Sequence, residues 1–330
     1  MSPAVAVPLF LVSLAVTLAA ARLFARRLDR LGVRFGFPEA LIGLLTAVAA
    51  DGPNVSSALF ALIKGAHDVG VGVLVGSNTF QLAAMIGMSA LIAGAVRVPR
   101  ETVLLEGVVG LIITVLATVV LLRWLSPAVT VLLSLLVVLP YLALVVGGQR
   151  LSERPGSKLR RLAHALHEHP GPEQPADTST DPTHHLLALI VLDVVLIVAG
   201  SAGMVQAALS LGADWHIPNS VLGVLILAPL TSLPNAATAI RLGLAGRGAA
   251  LVGETFNSNS INLGVGVIAP SLFVTFAALS SVDKLQLGFL LVMTVAAVGL
   301  LARHDGMGRP AATVLVILYF AFVGGTLVGS

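Results

Sequence analysis

The sequence contains no cysteine and few charged residues, and both absences narrow the kind of protein that it encodes. Without cysteine among its 330 residues, the chain has no disulfide bonds and no thiolate ligands for a metal. Only 11% of the residues are charged, whereas about 25% is usual in a soluble globular domain. Hydrophobic residues make up 57% of the chain. This composition indicates an integral membrane protein, with the lipid bilayer as a partner.

The apolar residues are gathered in long continuous runs, which predict an all-α integral membrane protein. A helix needs about 20 apolar residues to cross a hydrocarbon core of about 30 Å. The strands of a membrane barrel would instead give segments of about ten alternating residues, and the runs here do not alternate. We predict ten transmembrane helices, at residues 3–24, 38–63, 69–95, 102–122, 127–147, 185–209, 217–242, 248–275, 284–302 and 310–329.

Lysine and arginine are unevenly distributed among the predicted loops. In membrane proteins generally, the cytoplasmic loops carry an excess of these two residues. Sixteen of the 19 lie after odd-numbered spans, and the other three are Lys64, Arg123 and Lys284. This pattern predicts a multi-pass protein of the cell inner (plasma) membrane with both termini outside. It also accounts for the net charge of +3 without nucleic acid as a partner. The sixteen are Arg22, Arg26, Arg27, Arg30, Arg34, Arg97, Arg100, Arg150, Arg154, Lys158, Arg160, Arg161, Arg241, Arg247, Arg303 and Arg309.

One polar stretch divides the ten predicted spans into two groups of five. Residues 148–184 are rich in Pro, Ser, Thr, Glu, Asp and His, a composition typical of a flexible segment. Its histidines match no strong metal-binding spacing, so we predict a solvated cytoplasmic linker. The predicted domains are therefore a first five-helix repeat at 1–147, the linker at 148–184 and a second five-helix repeat at 185–330.

The two halves share residues at a nearly constant spacing. Pro38 corresponds to Pro218 at an offset of 180, and further pairs follow at an offset of 181. Because each half has five spans, the second half enters the membrane from the opposite side. Inverted repeats of this kind are typical of secondary transporters, whose binding sites lie near the midplane. The pairs at the larger offset include Pro53-Asn54 with Pro234-Asn235, Gly72 with Gly253, and Ser77-Asn78 with Ser258-Asn259.

Each half interrupts an apolar run with a Pro-Asn pair, in "ADGPNVSS" at 50–57 and in "TSLPNAAT" at 231–238. Proline removes a backbone donor and breaks or kinks a helix. We predict that both helices break at these prolines, with Asp51 as a cap for the restarted helix. Carbonyl groups freed in this way suit a cation, since a half-helix C-terminus carries partial negative charge.

Polar residues line one face of the third and the eighth predicted span. Ser77 and Gln81 lie one turn apart, and Glu254, Ser258 and Asn262 repeat the spacing in the second half. A carboxylate at the centre of a membrane helix costs about 2.5–3.5 kcal/mol on insertion scales. We therefore predict functional roles for Glu254 and Asp51. Three further acidic residues, Asp68, Glu106 and Asp193, are predicted to have structural or interfacial roles.

These patterns predict a cation-binding site in which Asp51 and Glu254 supply charge and neutral side chains supply oxygens. We predict no cofactor and no catalytic residues: the ligands are transported Na⁺, Ca²⁺ or H⁺. The spans show no nucleophile-base pair and the chain has no P-loop motif, so we predict that it is not an enzyme. The candidate site residues are Asp51, Asn54, Ser77, Asn78, Thr231, Ser232, Asn235, Glu254, Ser258 and Asn259, with Asp51, Glu254, Asn54 and Asn235 as metal ligands. Asn262, with Asn78 and Asn259, fixes the helices or adds ligands.

Three stretches resemble signature motifs of the cation/calcium exchanger superfamily, the fold of sodium/calcium exchangers. "LTSLPN" at 230–235 is similar to its G-T-S-x-P-E motif, and "GVLVGSNTFQ" at 72–81 is similar to G-N-x-x-G-S-N-x-F-N. "GETFNSNSIN" at 253–262 is a looser match. The resemblance covers nearly the whole chain and implies Na⁺/Ca²⁺ exchange. The superfamily's two glutamates after proline are Asn54 and Asn235 here, and its first G-T-S is Ala49-Ala50-Asp51.

Three functions remain open from the sequence. The resemblance implies a secondary active cation antiporter of the sodium/calcium exchanger type that works by alternating access. Ca²⁺ takes 6–8 oxygen ligands, usually with several carboxylates, and the changed residues supply less charge. A cation/proton antiporter with altered selectivity is therefore the second function, and a membrane sensor that binds a cation without moving it is the third. The sequence fits a monomer as well as a homo-oligomer.

Overall fold

A computed structural model describes residues 1–37, 39–152, 182–303 and 305–330, with side chains for all of these except 39–43 and 146–152. Over these ranges the protein is helical apart from two short strands and the connecting turns. Pro38 and most of the predicted linker, at 153–181, lie outside the described residues. The predicted all-α class is confirmed for the part that is described.

The long helices follow the apolar runs. Eight helices of the described residues are long and apolar enough to cross a membrane; α2 and α8, defined below, are not among them. α8 continues directly into a π-helical segment that ends at Ile268, and its polar run at 253–262 makes it less apolar than the other helices. The long helices are α1 (Pro3–Arg34), α2 (Glu39–Ile63), α3 (His67–Ala93), α4 (Arg100–Leu121), α5 (Pro127–Ser152), α6 (Thr183–Asp214), α7 (Asn219–Leu244), α8 (Gly248–Leu263), α9 (Ser281–Arg303) and α10 (Arg309–Gly329).

The predicted breaks at the two Pro-Asn pairs are wrong. α2 runs through Pro53 without interruption, and Pro234 lies inside the α-helical part of α7. Asp51 is therefore an interior residue of α2 and not a cap. Proline is tolerated in membrane helices because neighbouring helices and hydroxyl side chains satisfy the backbone groups that it disturbs. Beside one proline, Ser56 Oγ donates to the Gly52 carbonyl at 2.6 Å.

The helical irregularities occur beside the polar faces instead. α3 widens into a π-helical segment at Leu82–Met88, and α8 is followed by another at Gly264–Ile268. These two segments overlap when the halves are aligned at the offset of 181. A third π-helical segment, Leu222–Leu227, lies inside α7. Such wide turns frequently occur at functional sites, and the first of them directly follows Gln81, one of the polar residues described below.

α3 lies at the centre of the bundle, because nearly all its residues from Val69 to Gln81 are buried. It packs closely against α7 through glycine. A Cβ added at Gly76 would lie 2.7 Å from the Val224 carbonyl oxygen, closer than a Cβ atom normally comes to any other atom. Glycine thus brings the backbones of α3 and α7 into direct contact.

The outer helices present apolar side chains outward. On α5, Leu132 and Leu136 are 66% and 69% exposed. Water-soluble monomers rarely expose such continuous apolar surface. The arrangement suits a hydrocarbon surrounding, so the predicted membrane setting and the fold agree.

Two short strands connect distant loops at one end of the bundle. β1 (Ala95–Arg97) pairs antiparallel with β2 (Gly306–Gly308), and Val96 faces Met307. Gly306 has φ of +141°, and a Cβ there would meet the Val96 carbonyl, so the position requires glycine. The loop between α3 and α4 and the loop between α9 and α10 therefore lie on the same side of the protein.

Candidate cation site

The centre of the candidate site is the Asp51 carboxylate, which is fully buried on α2. Its Oδ1 atom accepts N–H groups from four amide side chains: Asn235 at 2.9 Å, Gln81 at 3.1 Å, Asn54 at 3.3 Å and Asn262 at 3.5 Å. Hydrogen bonds from neutral donors to an ionised oxygen are among the stronger ones in proteins. The four donors come from α7, α3, α2 and α8, so one carboxylate oxygen joins four helices.

Further hydrogen bonds connect the same helices in pairs. Asn54 on α2 and Ser232 on α7 lie 3.3–3.4 Å apart and exchange hydrogen bonds through the amide and the hydroxyl. Asn262 on α8 donates to Asn78 Oδ1 on α3 at 3.0 Å, and Asn78 in turn donates to the Asn259 carbonyl at 3.1 Å. The polar faces predicted on the third and eighth spans therefore meet each other and meet Asp51.

Several oxygens of this cluster are left without partners, while the N–H groups that face Asp51 are used. Buried polar atoms are partnered in more than about 90% of cases, so a group of exceptions at one place requires an explanation. An amide oxygen shares its carbon with the nitrogen, so the amide oxygens lie close to Asp51. Among the described residues, the oxygens without a partner here are Asp51 Oδ2, Gln81 Oε1, Asn235 Oδ1, Asn262 Oδ1, Asn259 Oδ1, Ser77 Oγ and Ser258 Oγ.

The chemistry of these atoms suits a cation. Carboxylate, amide and hydroxyl oxygens are the ligands that hard cations prefer. The Ser258 hydroxyl adjoins the Asp51 carboxylate, although it forms no hydrogen bond of normal geometry within the described residues. The same part of the chain contains no group of three or more His, Asp or Glu residues that could hold a metal. The site is therefore rich in neutral oxygens and poor in charge.

Glu254 lies apart from this hydrogen-bonded cluster. It is partly exposed, and it makes no hydrogen bond or ion pair among the described residues. Asp51 and Arg241 lie within electrostatic range of it. Glu254 precedes Ser258 by one turn, so it occupies the N-terminal side of the cluster on α8. Its role as a metal ligand stays a prediction.

Thr231 is also predicted as a site residue, and its hydroxyl is turned toward its own helix. It is buried and donates to the Leu227 carbonyl at 2.8 Å and to the Ala228 carbonyl at 3.1 Å. Thr231 therefore satisfies the irregular backbone of α7 and does not hydrogen-bond to the cluster.

Gln81 is the residue that sequence reasoning places on the polar face and yet leaves out of the candidate ligands. It is fully buried and donates to Asp51. The signal for it was its position one turn after Ser77. Asn262, which stands one turn after Ser258, has the same relation to the cluster.

The remaining acidic residues have separate environments. Asp193 on α6 is buried and pairs with Arg27 on α1 at 2.5 Å, which agrees with the structural role predicted for it. Asp68 is exposed at the start of α3. Glu106 on α4, for which a structural or interfacial role is predicted, is buried and contacts Tyr141 of α5.

Comparison with known proteins relates the chain to a protein family. The family model of the sodium/calcium exchanger protein matches residues 5–147 and 185–328. No curated protein sequence matches the chain closely enough to count as a relative.

Solved structures share the fold. The sodium-calcium exchanger NCX_Mj soaked with 2.5 mM Na⁺ and 10 mM Sr²⁺ has a TM-score of 0.62 at 19% identity, covering 98% of this chain and 99% of that one. The same exchanger soaked with 10 mM Na⁺ and no Ca²⁺ gives 0.61 at 18% identity, over 98% and 99% of the two chains. The H⁺/Ca²⁺ exchanger CAX gives 0.74 at 16% identity, over 96% of this chain and 81% of its own.

Sequence identities this low show a common fold but do not show a common ion or mechanism. The family model, in contrast, extends over most of the chain and matches both halves. Together with the helical bundle, it confirms the resemblance found in the motifs. The chain belongs to the sodium/calcium exchanger family and is a multi-pass membrane protein of the cation-exchanger kind rather than an enzyme.

Proposed function

We propose that this protein is a secondary active cation antiporter of the sodium/calcium exchanger type, with one cation site around Asp51 that is reached alternately from the two sides of the membrane. The observation that carries the proposal is the set of buried oxygens without partners beside a buried carboxylate. A bound cation satisfies such oxygens, and releasing it to either side is what an exchanger does.

The proposed ligands follow from the free oxygens. Asp51 supplies its Oδ2 atom, and the amide oxygens of Gln81, Asn235 and Asn262 complete one side of the site. The hydroxyls of Ser77 and Ser258 are the neutral ligands of α3 and α8. The N–H groups that hold Asp51 Oδ1 fix the orientation of each amide, so the oxygens are positioned before the ion arrives. The remaining candidates Asn54, Asn78, Thr231, Ser232 and Asn259 support the helices around the site, and Glu254 is a proposed second charge.

The charge of the cluster favours a second candidate for the ion. The related structures are those of an exchanger for sodium and calcium and of an exchanger for protons and calcium. Among the described residues that hydrogen-bond in the cluster, Asp51 alone carries a formal charge. One carboxylate neutralises a monovalent cation, whereas Ca²⁺ usually requires several. A cation/proton antiporter with altered selectivity is therefore the alternative to Na⁺/Ca²⁺ exchange.

The proposed topology has ten spans in two inverted halves, with domains at 1–147 and 185–330. Contacts between loops of the described residues support it, because the partners in the following three contacts fall on the same side in this scheme. The strands β1 and β2 join two loops that are both assigned to the cytoplasm. Ser210 at the end of α6 donates to the Met1 carbonyl at 3.0 Å, and Ser220 lies 3.1 Å from the Ser330 hydroxyl. These four residues are all assigned to the outer side of the inner (plasma) membrane.

Flux measurements on the reconstituted protein test the proposal. Uptake of ²²Na⁺ and ⁴⁵Ca²⁺ into proteoliposomes is followed under imposed gradients of Na⁺, Ca²⁺ and H⁺, for the wild type and for Asp51→Asn. Asp214→Asn serves as the matched control, since Asp214 is exposed at the end of α6. We expect exchange that Asp51→Asn abolishes and Asp214→Asn preserves. Binding without flux in any gradient would identify a sensor instead, and unchanged flux in Asp51→Asn would reject the site.

A further inference from the structure

A second buried polar group lies between α4, α5 and α8 and shares no residue with the cluster around Asp51. Glu106 and Tyr141 are 4% and 6% exposed. The Tyr141 hydroxyl oxygen lies 2.8 Å from Glu106 Oε2 and 2.8 Å from Asn257 Oδ1. Three oxygen atoms from three helices thus stand in series, with two contacts of hydrogen-bond length between them.

Two such contacts require two hydrogen atoms. The tyrosine hydroxyl supplies one, and an amide oxygen supplies none. With Asn257 Oδ1 facing Tyr141, as it does here, the second hydrogen comes from Glu106 as a neutral carboxylic acid, which donates to the Tyr141 oxygen while Tyr141 donates to Asn257 Oδ1. An ionised Glu106 would instead accept the hydrogen bond that the Tyr141 hydroxyl donates. The Tyr141 oxygen and Asn257 Oδ1 would then face each other with no hydrogen between them, unless the Asn257 amide turned over and presented its N–H group.

In the part of the chain that the structure describes, no positively charged side chain pairs with Glu106. Tyr141 is the titratable group that faces it from α5, and α8 contributes the neutral Asn257. From α9, the apolar side chain of Val298 packs where a Cβ on Gly107 would lie. A lone carboxylate in such a place is unfavourable unless it takes up a proton or a cation.

We propose that Glu106 is a proton-binding site of this protein, distinct from the central cation site, and that Tyr141 and Asn257 transmit its protonation state to α8. Asn257 directly precedes Ser258, whose hydroxyl adjoins the Asp51 carboxylate. While Asn257 keeps its oxygen toward Tyr141, loss of the Glu106 proton removes one of the two hydrogen bonds in the series that connects α4 and α5 to α8. The position of α8 beside the central cluster therefore depends on whether Glu106 holds a proton.

Infrared difference spectroscopy tests the proton site without any transport. The whole protein is held in lipid nanodiscs and the carbonyl stretch of protonated carboxylic acids is recorded as pH is varied. We expect a titrating band that disappears in Glu106→Gln and shifts in Tyr141→Phe, because the hydroxyl partner is lost. Glu101→Gln is the matched control on the same helix, since Glu101 is exposed, and it should leave the band unchanged. A Glu106→Gln spectrum identical to that of the wild type at every pH would overturn the proposal, and so would a band that Na⁺ rather than H⁺ titrates.

The transmission to α8 is tested by exchange in proteoliposomes, an arm that rests on the proposed function. Glu106→Gln keeps the side chain neutral at every pH. We expect its flux to match the wild type at low pH and to lose the pH dependence that the wild type shows as Glu106 is deprotonated. Identical pH profiles would overturn the transmission. If the wild type showed no flux at all, the proposed function would fail while the infrared result would still decide the proton site.

Discussion

Asn235 on α7 donates a hydrogen bond of 2.9 Å to Asp51 Oδ1 on α2. The second Pro-Asn pair thus supplies the shortest contact to the carboxylate that lies two residues before the first pair. The two interruptions that stand out in the sequence meet in one cluster, although neither interrupts its helix.

Replacing Asp51 by Asn removes the formal charge of the central cluster and keeps its size. Removing one partner from a buried, hydrogen-bonded charge pair costs about 2–5 kcal/mol. At about 1.4 kcal/mol for each factor of ten, cation affinity should fall by roughly 30-fold or more. Isothermal titration of the purified protein with Na⁺ and with Ca²⁺ measures this, with Asp214→Asn as the control that keeps wild-type affinity. An Asp51→Asn variant that binds as tightly as the wild type would contradict the assignment.

Replacing Asn235 by Asp adds a second carboxylate directly beside the first. In the absence of a cation the two like charges repel, so the thermal stability of the variant should fall. A divalent cation relieves this repulsion better than a monovalent one, so the ratio of Ca²⁺ to Na⁺ affinity should rise by about tenfold or more, equivalent to about 1.4 kcal/mol.

The control for this change is Asn219→Asp, which adds the same charge on the same helix at an exposed position. Thermal unfolding with each ion added separates the two variants. If both respond alike to Ca²⁺, residue 235 does not face the ion.

Replacing Gly76 by Ala forces α3 away from α7. The added Cβ would lie 2.7 Å from a backbone oxygen and 2.8 Å from the Ala228 Cβ. Over-packing of this kind typically costs about 1–3 kcal/mol, and the backbone cannot move aside as a flexible side chain would. The expected result is a lower unfolding temperature in detergent, together with weaker ion binding, since Ser77 and Gln81 follow on the same helix.

Gly288→Ala on α9 is the matched control, because an added Cβ there meets nothing within 4 Å. Alanine is favoured over glycine within a helix by about 1 kcal/mol, so this variant should be as stable as the wild type or more so. Equal losses in the two variants would show that the close approach of α3 and α7 is unimportant.

Removing the carboxylate of Asp193 leaves the Arg27 guanidinium without the opposite charge that pairs with it between α1 and α6. Leaving one member of a buried pair costs about 3–5 kcal/mol, and the loss should be smaller here because the Arg27 side chain is 19% exposed. We expect Asp193→Leu to be destabilised and the double variant with Arg27→Met to recover much of the loss. A double-mutant cycle of thermal unfolding measures the coupling, and strictly additive effects of the two changes would argue against the ion pair.

Several features could be predicted because they depend on local sequence. The apolar runs predict the helices, and the one-turn spacing of Ser77, Gln81, Ser258 and Asn262 predicts the two polar faces that meet at Asp51. Helix ends were predicted less well: α1 and α6 extend to 32 residues each, because charged and polar residues continue a helix beyond the hydrocarbon core.

Other features depend on tertiary contacts that no local pattern reports. Whether a helix continues through a proline such as Pro53 or Pro234 depends on how its neighbours accommodate the missing donor, which sequence alone does not show. The π-helical segments occupy ordinary apolar stretches such as Leu82–Met88. The contact of Glu106 with Tyr141 joins residues on different helices, so the sequence predicts a structural or interfacial role for Glu106 but not its partner.

The charge of the cluster is unevenly divided between the halves, because the residue that corresponds to Asp51 at the offset of 181 is Ser232. Under the proposed inverted architecture, rocking toward one side and toward the other exchanges the environments of these two residues. The inward-open and outward-open forms are then unequal in energy even with identical solutions on both sides. The transporter would rest facing one way, and its two directions of exchange would show different half-saturation concentrations.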